Sequence, residues 1–106
     1  MTKLAVNSGV CGFCSKITVE KTEMKGKKLS VQIESDCEMV KKMSRELAVL
    51  DGTATVFSGF LSNTVYKSAS INLKHVACPV PSAIIKALEV EAGFCVPGDV
   101  TMKFEK

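Results

Sequence analysis

The chain has 106 residues, of which 46% are hydrophobic and 24% charged, and its formal net charge at pH 7 is +3. This length and composition predict one globular domain spanning residues 1–106. The mild charge, which is not gathered into one basic face, and the absence of Trp argue against a nucleic-acid-binding protein. No signal peptide and no apolar run near the ~18 residues of a membrane span are apparent, so we expect a cytoplasmic protein without membrane contact.

The first three predicted elements are strands. Residues 4–6 form a short strand that ends at Asn7-Ser8-Gly9, and residues 16–21 and 29–34 alternate between polar and apolar side chains. Such alternation is typical of strands that bury one face against a core. Since hairpin connections are expected to join the three strands, the first and the third should run parallel and end at the same edge of the sheet.

A helix is predicted to follow the third strand. Ser35 and Glu38 match the capping-box pattern, in which the first residue caps the helix and the fourth bonds back to it. Four apolar residues then recur at helical spacing, namely Val40, Met43, Leu47 and Leu50. We expect this helix to end at Asp51-Gly52.

The segment 53–74 is compatible with either a strand or a helix. Residues 69–73 alternate as in a strand, whereas Val65 begins a set of apolar residues spaced by four, and Asn63 is suited to cap a helix before it. We favour the helix.

The last two predicted elements are a helix and a strand. Pro79 opens a helix that is predicted to run to about Ala92, where Gly93 ends it, and residues 100–104 alternate as in a strand. Together the elements predict an α+β fold, a two-layer sandwich of a mostly antiparallel sheet of about four strands with two to three helices on one face.

The five cysteines carry the most reactive side chains of this sequence. An odd number of cysteines in a chain expected to be cytoplasmic indicates thiol, metal or redox chemistry rather than a disulfide framework. Cys78 is predicted to be the N-cap of the last helix, with Pro79 at the first helical position. Its sulfur would then face backbone N–H groups at the positive end of the helix dipole, which favours the thiolate.

The predicted topology brings several of these cysteines together. Cys11 follows the first strand and Cys37 follows the third, so both are expected at the same edge of the sheet. If the last strand is parallel to these two, the helix before it brings Cys78 to that edge as well. We therefore predict a cluster of Cys11, Cys37 and Cys78, with Cys14 as a candidate fourth member and His75 close by.

Such a cluster suits more than one chemistry. Three or four thiolates can bind an iron–sulfur cluster, which we favour, or zinc. The same arrangement suits persulfide or disulfide exchange, with Cys78 as the reacting thiolate and Cys11 or Cys37 as its resolving partner. A third hypothesis is that the cysteines are small apolar residues, which is our expectation for Cys95 beside Phe94.

Two resemblances rest on these motifs. The segment from Leu73 to Pro81, with its Cys-Pro-x-Pro sequence, the following apolar helix and Pro97-Gly-Asp-Val100, resembles the CPxP module of the TusA/SirA sulfur-carrier family over about a third of the chain. In that family the cysteine carries a persulfide to a partner, which implies this role for Cys78. The family's order of strand, helix, strand, helix, strand and strand is not matched. Over the full length, residues 9–13, 35–38 and 75–81 are similar to a family of small uncharacterised proteins of anaerobic prokaryotes, which implies no function.

The function predicted from the sequence is therefore a small cytoplasmic protein that binds a metal or an iron–sulfur cluster through thiolates. Electron transfer, sensing or cluster handling with a protein partner would be its role. The alternatives are a sulfur-carrier or thiol-redox protein that uses Cys78, and an interaction domain without chemistry. Whether the protein is an enzyme, and what its oligomeric state is, are left open.

Overall fold

The computed structural model describes residues 1–9, 12–22 and 28–105, and it has a single sheet with helices packed against one face. The elements in chain order are β1 (Thr2–Asn7), β2 (Cys14–Lys21), β3 (Lys28–Ser35), α1 (Glu38–Glu46), β4 (Val49–Asp51), α2 (Gly52–Phe57), α3 (Thr64–Asn72) and α4 (Val80–Glu91).

The four described strands lie in the order β1-β2-β3-β4, and each pairs antiparallel with its neighbour. Leu4, Ile17 and Ile33 lie directly opposite one another on the inner face, and Ile17 is completely buried. The outer face carries polar residues such as Lys16 and Gln32, which are exposed. The antiparallel α+β fold predicted from the sequence is confirmed, and so is the alternation of β2 and β3.

Helices α1 and α4 pack on the inner face of the sheet. Helix α1 packs on β3, and α4 packs on β1 and β2, while α3 contacts both helices. Met43 of α1 and Ile84 and Leu88 of α4 are fully buried. Burial of these apolar side chains is the main favourable term for this layer. None of the helices in the described part of the chain has the length and apolar character needed to cross a membrane.

The helix after β3 is shorter than the sequence predicts. It ends at Glu46, and Leu50 belongs to β4, where it lies opposite Leu29. Leu47 and Leu50 are three residues apart, and this spacing fits either one continuous helix or a helix followed by a strand that buries Leu50 in the same core. Apolar spacing alone therefore does not locate the end of α1. Asp51-Gly52 does not end a helix either, because the side chain of Asp51 accepts a hydrogen bond from the Ala54 backbone (2.9 Å) and caps α2.

The helical preference for the segment 53–74 is confirmed. Asn63 caps α3, and its side-chain oxygen accepts hydrogen bonds from the backbone N–H groups of Val65 (2.9 Å) and Tyr66 (3.3 Å). The same segment begins with α2, a helix of six residues that the sequence analysis did not predict. A helix this short has too little periodicity to be recognised from apolar spacing.

The predicted end of the last helix is confirmed, but the prediction of a strand after it is wrong. Gly93 has a φ of +88°, and it donates to the Val90 carbonyl (3.1 Å) while Phe94 donates to the Glu89 carbonyl (2.9 Å), the pattern that closes many helices at glycine. Residues 94–105 contain no strand. Alternating polar and apolar side chains make a segment suitable for a sheet, but a strand also needs a neighbouring strand to pair with. The free edge of β3 is already paired with β4.

The side chain of Glu91 joins the end of α4 to the start of β1. It is 9% exposed, and its Oε1 accepts a hydrogen bond from the Thr2 hydroxyl (2.7 Å) and lies 3.3 Å from the Met1 nitrogen. Burial alone would raise the pKa of Glu91, but the Thr2 hydrogen bond and the Met1 ammonium group outweigh it, so the pKa lies below its ordinary value of 4.5.

Acid should therefore weaken this contact. Because the pKa is lower in the folded than in the unfolded state, the carboxylate stabilises the fold above pH 4.5 and loses this effect as the pH falls through the folded-state value. We expect Glu91→Gln to lower the free energy of unfolding by about 1 kcal/mol at pH 7 and by much less at pH 3. Urea unfolding at both pH values measures this, with Glu105→Gln in the exposed C-terminal segment as the control. Equal losses at both pH values would contradict the prediction.

Candidate cysteine cavity

One cavity of about 350 Å³ lies at the end of the sheet where β1 and β3 finish and β2 begins. Ser8 after β1 and Phe13 and Ser15 around the start of β2 form one side of it. The start of α1 and the segment 73–79 between α3 and α4 form the other. The cavity is thus built by four segments that are distant in the sequence and meet only in the folded chain.

Cys37 lies in the wall of this cavity, directly before α1. Ser35 at the end of β3 accepts hydrogen bonds from the Ser15 hydroxyl (3.0 Å) and from the Cys37 backbone N–H (3.1 Å). Cys37 is the N-cap of α1, and its carbonyl accepts from the Lys41 backbone (3.0 Å). The prediction that Ser35 is the N-cap is therefore wrong by two residues. The Ser35 hydroxyl accepts the N–H of the N-cap residue itself and so stabilises the turn before the helix rather than the first helical turn. Cys37 is 9% exposed.

Cys78 lies in the same cavity, just before α4. Its backbone N–H donates to the His75 carbonyl (3.3 Å), which closes a turn. Pro79 is the N-cap of α4, so Cys78 stands one residue earlier than predicted. Pro79 and Pro81 lack a backbone N–H, so within residues 79–82 only Val80 and Ser82 carry one. Cys78 is half-buried.

Much of the rest of the cavity wall is apolar. Met39 and Val40 line it from α1, Leu73 from the end of α3, and Phe13 from the start of β2. His75 also lines the cavity and is exposed, as is Ala77 beside it. No Lys, Arg, Asp or Glu lines the cavity within the described parts of the chain.

The structure thus brings together three of the residues predicted for the site, namely Cys37, Cys78 and His75. Cys14 does not line the cavity; it opens β2 opposite Asn7, it is exposed, and it alternates with the buried Ser15. Cys11 lies outside the described residues. Among the residues that are described, no group of three or more His, Cys, Asp or Glu side chains is placed to hold one metal ion.

Cys95 was expected to be a small buried residue, and this is wrong. It is exposed, because the chain leaves the core after Gly93. Glu91 at the end of α4 contacts Thr2 at the start of β1, whereas the cavity lies where β1 finishes. The cavity is therefore near the start of α4, and Cys95 follows the end of that helix. Cys95 and Cys14 are therefore exposed cysteines that do not line the cavity, although Cys14 stands between two residues that do.

The apolar wall residues were missed as site residues in the sequence analysis. Phe13 and Met39 each stand within two residues of a cysteine that was singled out, but adjacency is no signal of a shared cavity. Leu73 was recognised only as part of a helical apolar pattern. What joins them is the approach of α1 and the 73–79 segment over one end of the sheet, which local sequence does not encode.

These features define a class, a small α+β sandwich protein with two cysteines and one histidine around an apolar cavity at one end of its sheet. The chain belongs to the family described as Family of unknown function (DUF6951), whose model matches residues 2–104. No curated protein and no solved structure matches the chain.

Proposed function

We propose that this protein transfers sulfur by thiol chemistry, with Cys78 as the reacting thiolate and Cys37 as a second thiol beside it. One observation carries the proposal: two cysteines far apart in the sequence line one cavity, whereas Cys14 and Cys95 do not. A cavity with two thiols and an imidazole can bind a small molecule next to a nucleophile.

The difference in exposure between the two thiols supports the roles proposed for them. Cys78 is half-buried at the start of α4, while Cys37 is buried. The attacking thiol must reach a donor molecule, and this favours Cys78. The resemblance of Cys78-Pro79-Val80-Pro81 to the sulfur-carrier motif supports the same choice. That resemblance is limited to the motif and its helix, because residues 94–105 lack the strand that follows the helix in that family.

The proposed transfer is a displacement at sulfur. The Cys78 thiolate attacks the outer sulfur of a persulfide donor, R–S–SH, forming a new S–S bond while the donor's S–S bond breaks and its thiolate leaves. An acceptor thiolate on a partner protein then attacks the outer sulfur of the Cys78 persulfide and restores the Cys78 thiolate. If the Cys37 thiolate attacks the inner sulfur instead, a Cys37–Cys78 disulfide forms and hydrosulfide leaves.

The test is to locate the sulfur that the protein accepts. The reduced protein is treated with benzyl persulfide, a small persulfide with an uncharged substituent, then alkylated and digested, and each cysteine peptide is examined by mass spectrometry for one added sulfur atom. We expect the added sulfur on Cys78, its loss from that peptide in Cys78→Ser, and no change in Cys95→Ser. Cys37→Ser should accumulate more persulfide on Cys78, because the competing disulfide cannot form.

The proposal would be abandoned if the added sulfur were spread over Cys14 and Cys95, or if Cys78→Ser retained the total sulfur uptake of the wild type. Exposed cysteines would then account for the uptake without any contribution from the cavity.

Metal or iron–sulfur binding stays a prediction. It needs a third ligand beside Cys37 and Cys78, for which Cys11 is the candidate. An absorption spectrum and elemental analysis of protein purified without oxygen and without a metal-affinity tag decide between the two functions. Iron and sulfide with a broad band, lost in Cys78→Ser and in Cys37→Ser alike, would favour the cluster.

A further inference from the structure

We infer that the cysteine cavity selects a neutral, largely apolar sulfur compound and discriminates against anionic ones. This inference rests on the proposed function, since it names the class of molecule that the reacting thiol meets. It concerns the described wall of the cavity and not the identity of the thiol that reacts.

The described wall offers an anion no permanent positive charge. No Lys or Arg from the described residues lines it, and the apolar residues Phe13, Met39 and Val40 occupy much of its surface. Moving a carboxylate out of water without a partner is costly, whereas an amide or a hydrocarbon loses far less. A donor that carries a carboxylate would have to bury it against these side chains or keep it outside.

Part of the polar wall is already engaged in hydrogen bonds, and the His75 side chain is exposed to solvent rather than enclosed in the cavity. The Ser15 hydroxyl already donates to Ser35, and the Ser35 hydroxyl accepts the Cys37 N–H. At the start of α4, Pro79 and Pro81 lack the N–H groups with which a helix terminus ordinarily binds an anion. Only the Val80 and Ser82 N–H groups remain in this turn to stabilise the Cys78 thiolate, so the helix start has little left for a second anion beside it.

The size of the cavity sets a further bound. A volume of about 350 Å³ is at the lower end of the range of small-molecule pockets, about 300–1,000 Å³. A small persulfide with an uncharged substituent suits this space, whereas the persulfide of a peptide-sized anionic thiol such as glutathione would have to bury its carboxylates against the apolar wall or keep them outside.

The experiment compares two alkylating reagents of nearly equal size, neutral iodoacetamide and anionic iodoacetate. Rates at each cysteine are measured in the intact protein by peptide-resolved mass spectrometry. For each cysteine, the rate with iodoacetamide is divided by the rate with iodoacetate. The value for Cys78 is then divided by the value for the exposed Cys14 and Cys95, which cancels the intrinsic difference between the two reagents. We expect this quotient to be roughly tenfold or more, the factor that about 1.4 kcal/mol of unfavourable desolvation produces.

A charge placed at the rim of the cavity provides the matched variant. Ala77 is exposed and lines the cavity directly before Cys78, so a longer side chain there should leave the fold intact. Ala77→Lys should lower the quotient by supplying a cation, while Ala77→Gln, of similar length and neutral, should leave it near the wild-type value.

The outcomes separate the inference from the proposed function. A quotient near one, with Cys78 reacting readily with both reagents, overturns the selectivity and leaves Cys78 as the reacting thiol. Cys78 that reacts with neither reagent, while Cys14 and Cys95 react, overturns both. A high quotient that Ala77→Lys lowers and Ala77→Gln does not establishes the selectivity.

Discussion

Replacing Ile84 by alanine should lower the free energy of unfolding by about 2–5 kcal/mol, the range observed for removing a large aliphatic side chain from a packed core. Ile84 is completely buried in α4, the helix that covers β1 and β2. The substitution removes apolar contacts and leaves a cavity that a sheet on one side and a helix on the other cannot collapse to fill.

Ile71→Ala is the matched control for this prediction. Ile71 is also in a helix, α3, but its side chain is 78% exposed. Its replacement should change the free energy of unfolding by less than about 0.5 kcal/mol, the usual range for surface substitutions. Urea unfolding followed by circular dichroism measures both variants. Similar losses for the two would mean that α4 does not pack on the sheet through Ile84.

The second large effect is expected at Asn63, a buried polar residue that joins α2 to α3. Its side-chain oxygen caps α3, and its amide donates to the Thr55 carbonyl (2.7 Å) and to the Ser58 hydroxyl (3.0 Å). Asn63→Ala should cost about 2–4 kcal/mol, since it removes a helix cap worth about 1 kcal/mol together with the two hydrogen bonds that the amide donates, and leaves the Thr55 carbonyl with the Ser58 hydroxyl as its donor (3.2 Å).

Asp51→Ala serves as the comparison, because Asp51 caps α2 through one hydrogen bond at an exposed position. Its loss should cost about 1 kcal/mol or less. Thermal or urea unfolding of both variants tests the difference. If Asn63→Ala cost no more than Asp51→Ala, the amide contacts to Thr55 and Ser58 would contribute nothing to stability.

Cys78 shares a cavity with Cys37 at the predicted end of the sheet, but not for the predicted reason. The prediction depended on a final strand at residues 100–104, which the structure does not contain. Helix α4 nevertheless runs the expected way, because Glu91 at its end contacts Thr2 at the start of β1. Its beginning therefore lies where β1 ends, next to the start of α1.

Local chemistry in the sequence determined much of this protein. Alternating side chains identified β2 and β3, the Asn63 cap and apolar spacing identified α3, and Gly93 identified the end of α4. These signals are readable because each depends on residues within one turn or one strand: a pleat has a period of two, a cap bonds to the next N–H groups, and glycine accepts a positive φ.

Only the tertiary structure decided which segment is the fourth strand, where α1 ends, and what surrounds the cysteines. Residues 49–51 are too few to show a period, yet they pair with β3, while the well-patterned residues 100–104 do not pair at all. Strand pairing and cavity walls depend on contacts between distant segments, whose free energy no local pattern records. For the same reason the apolar wall around Cys37 and Cys78, on which the proposed choice of ligand depends, appeared only in the folded chain.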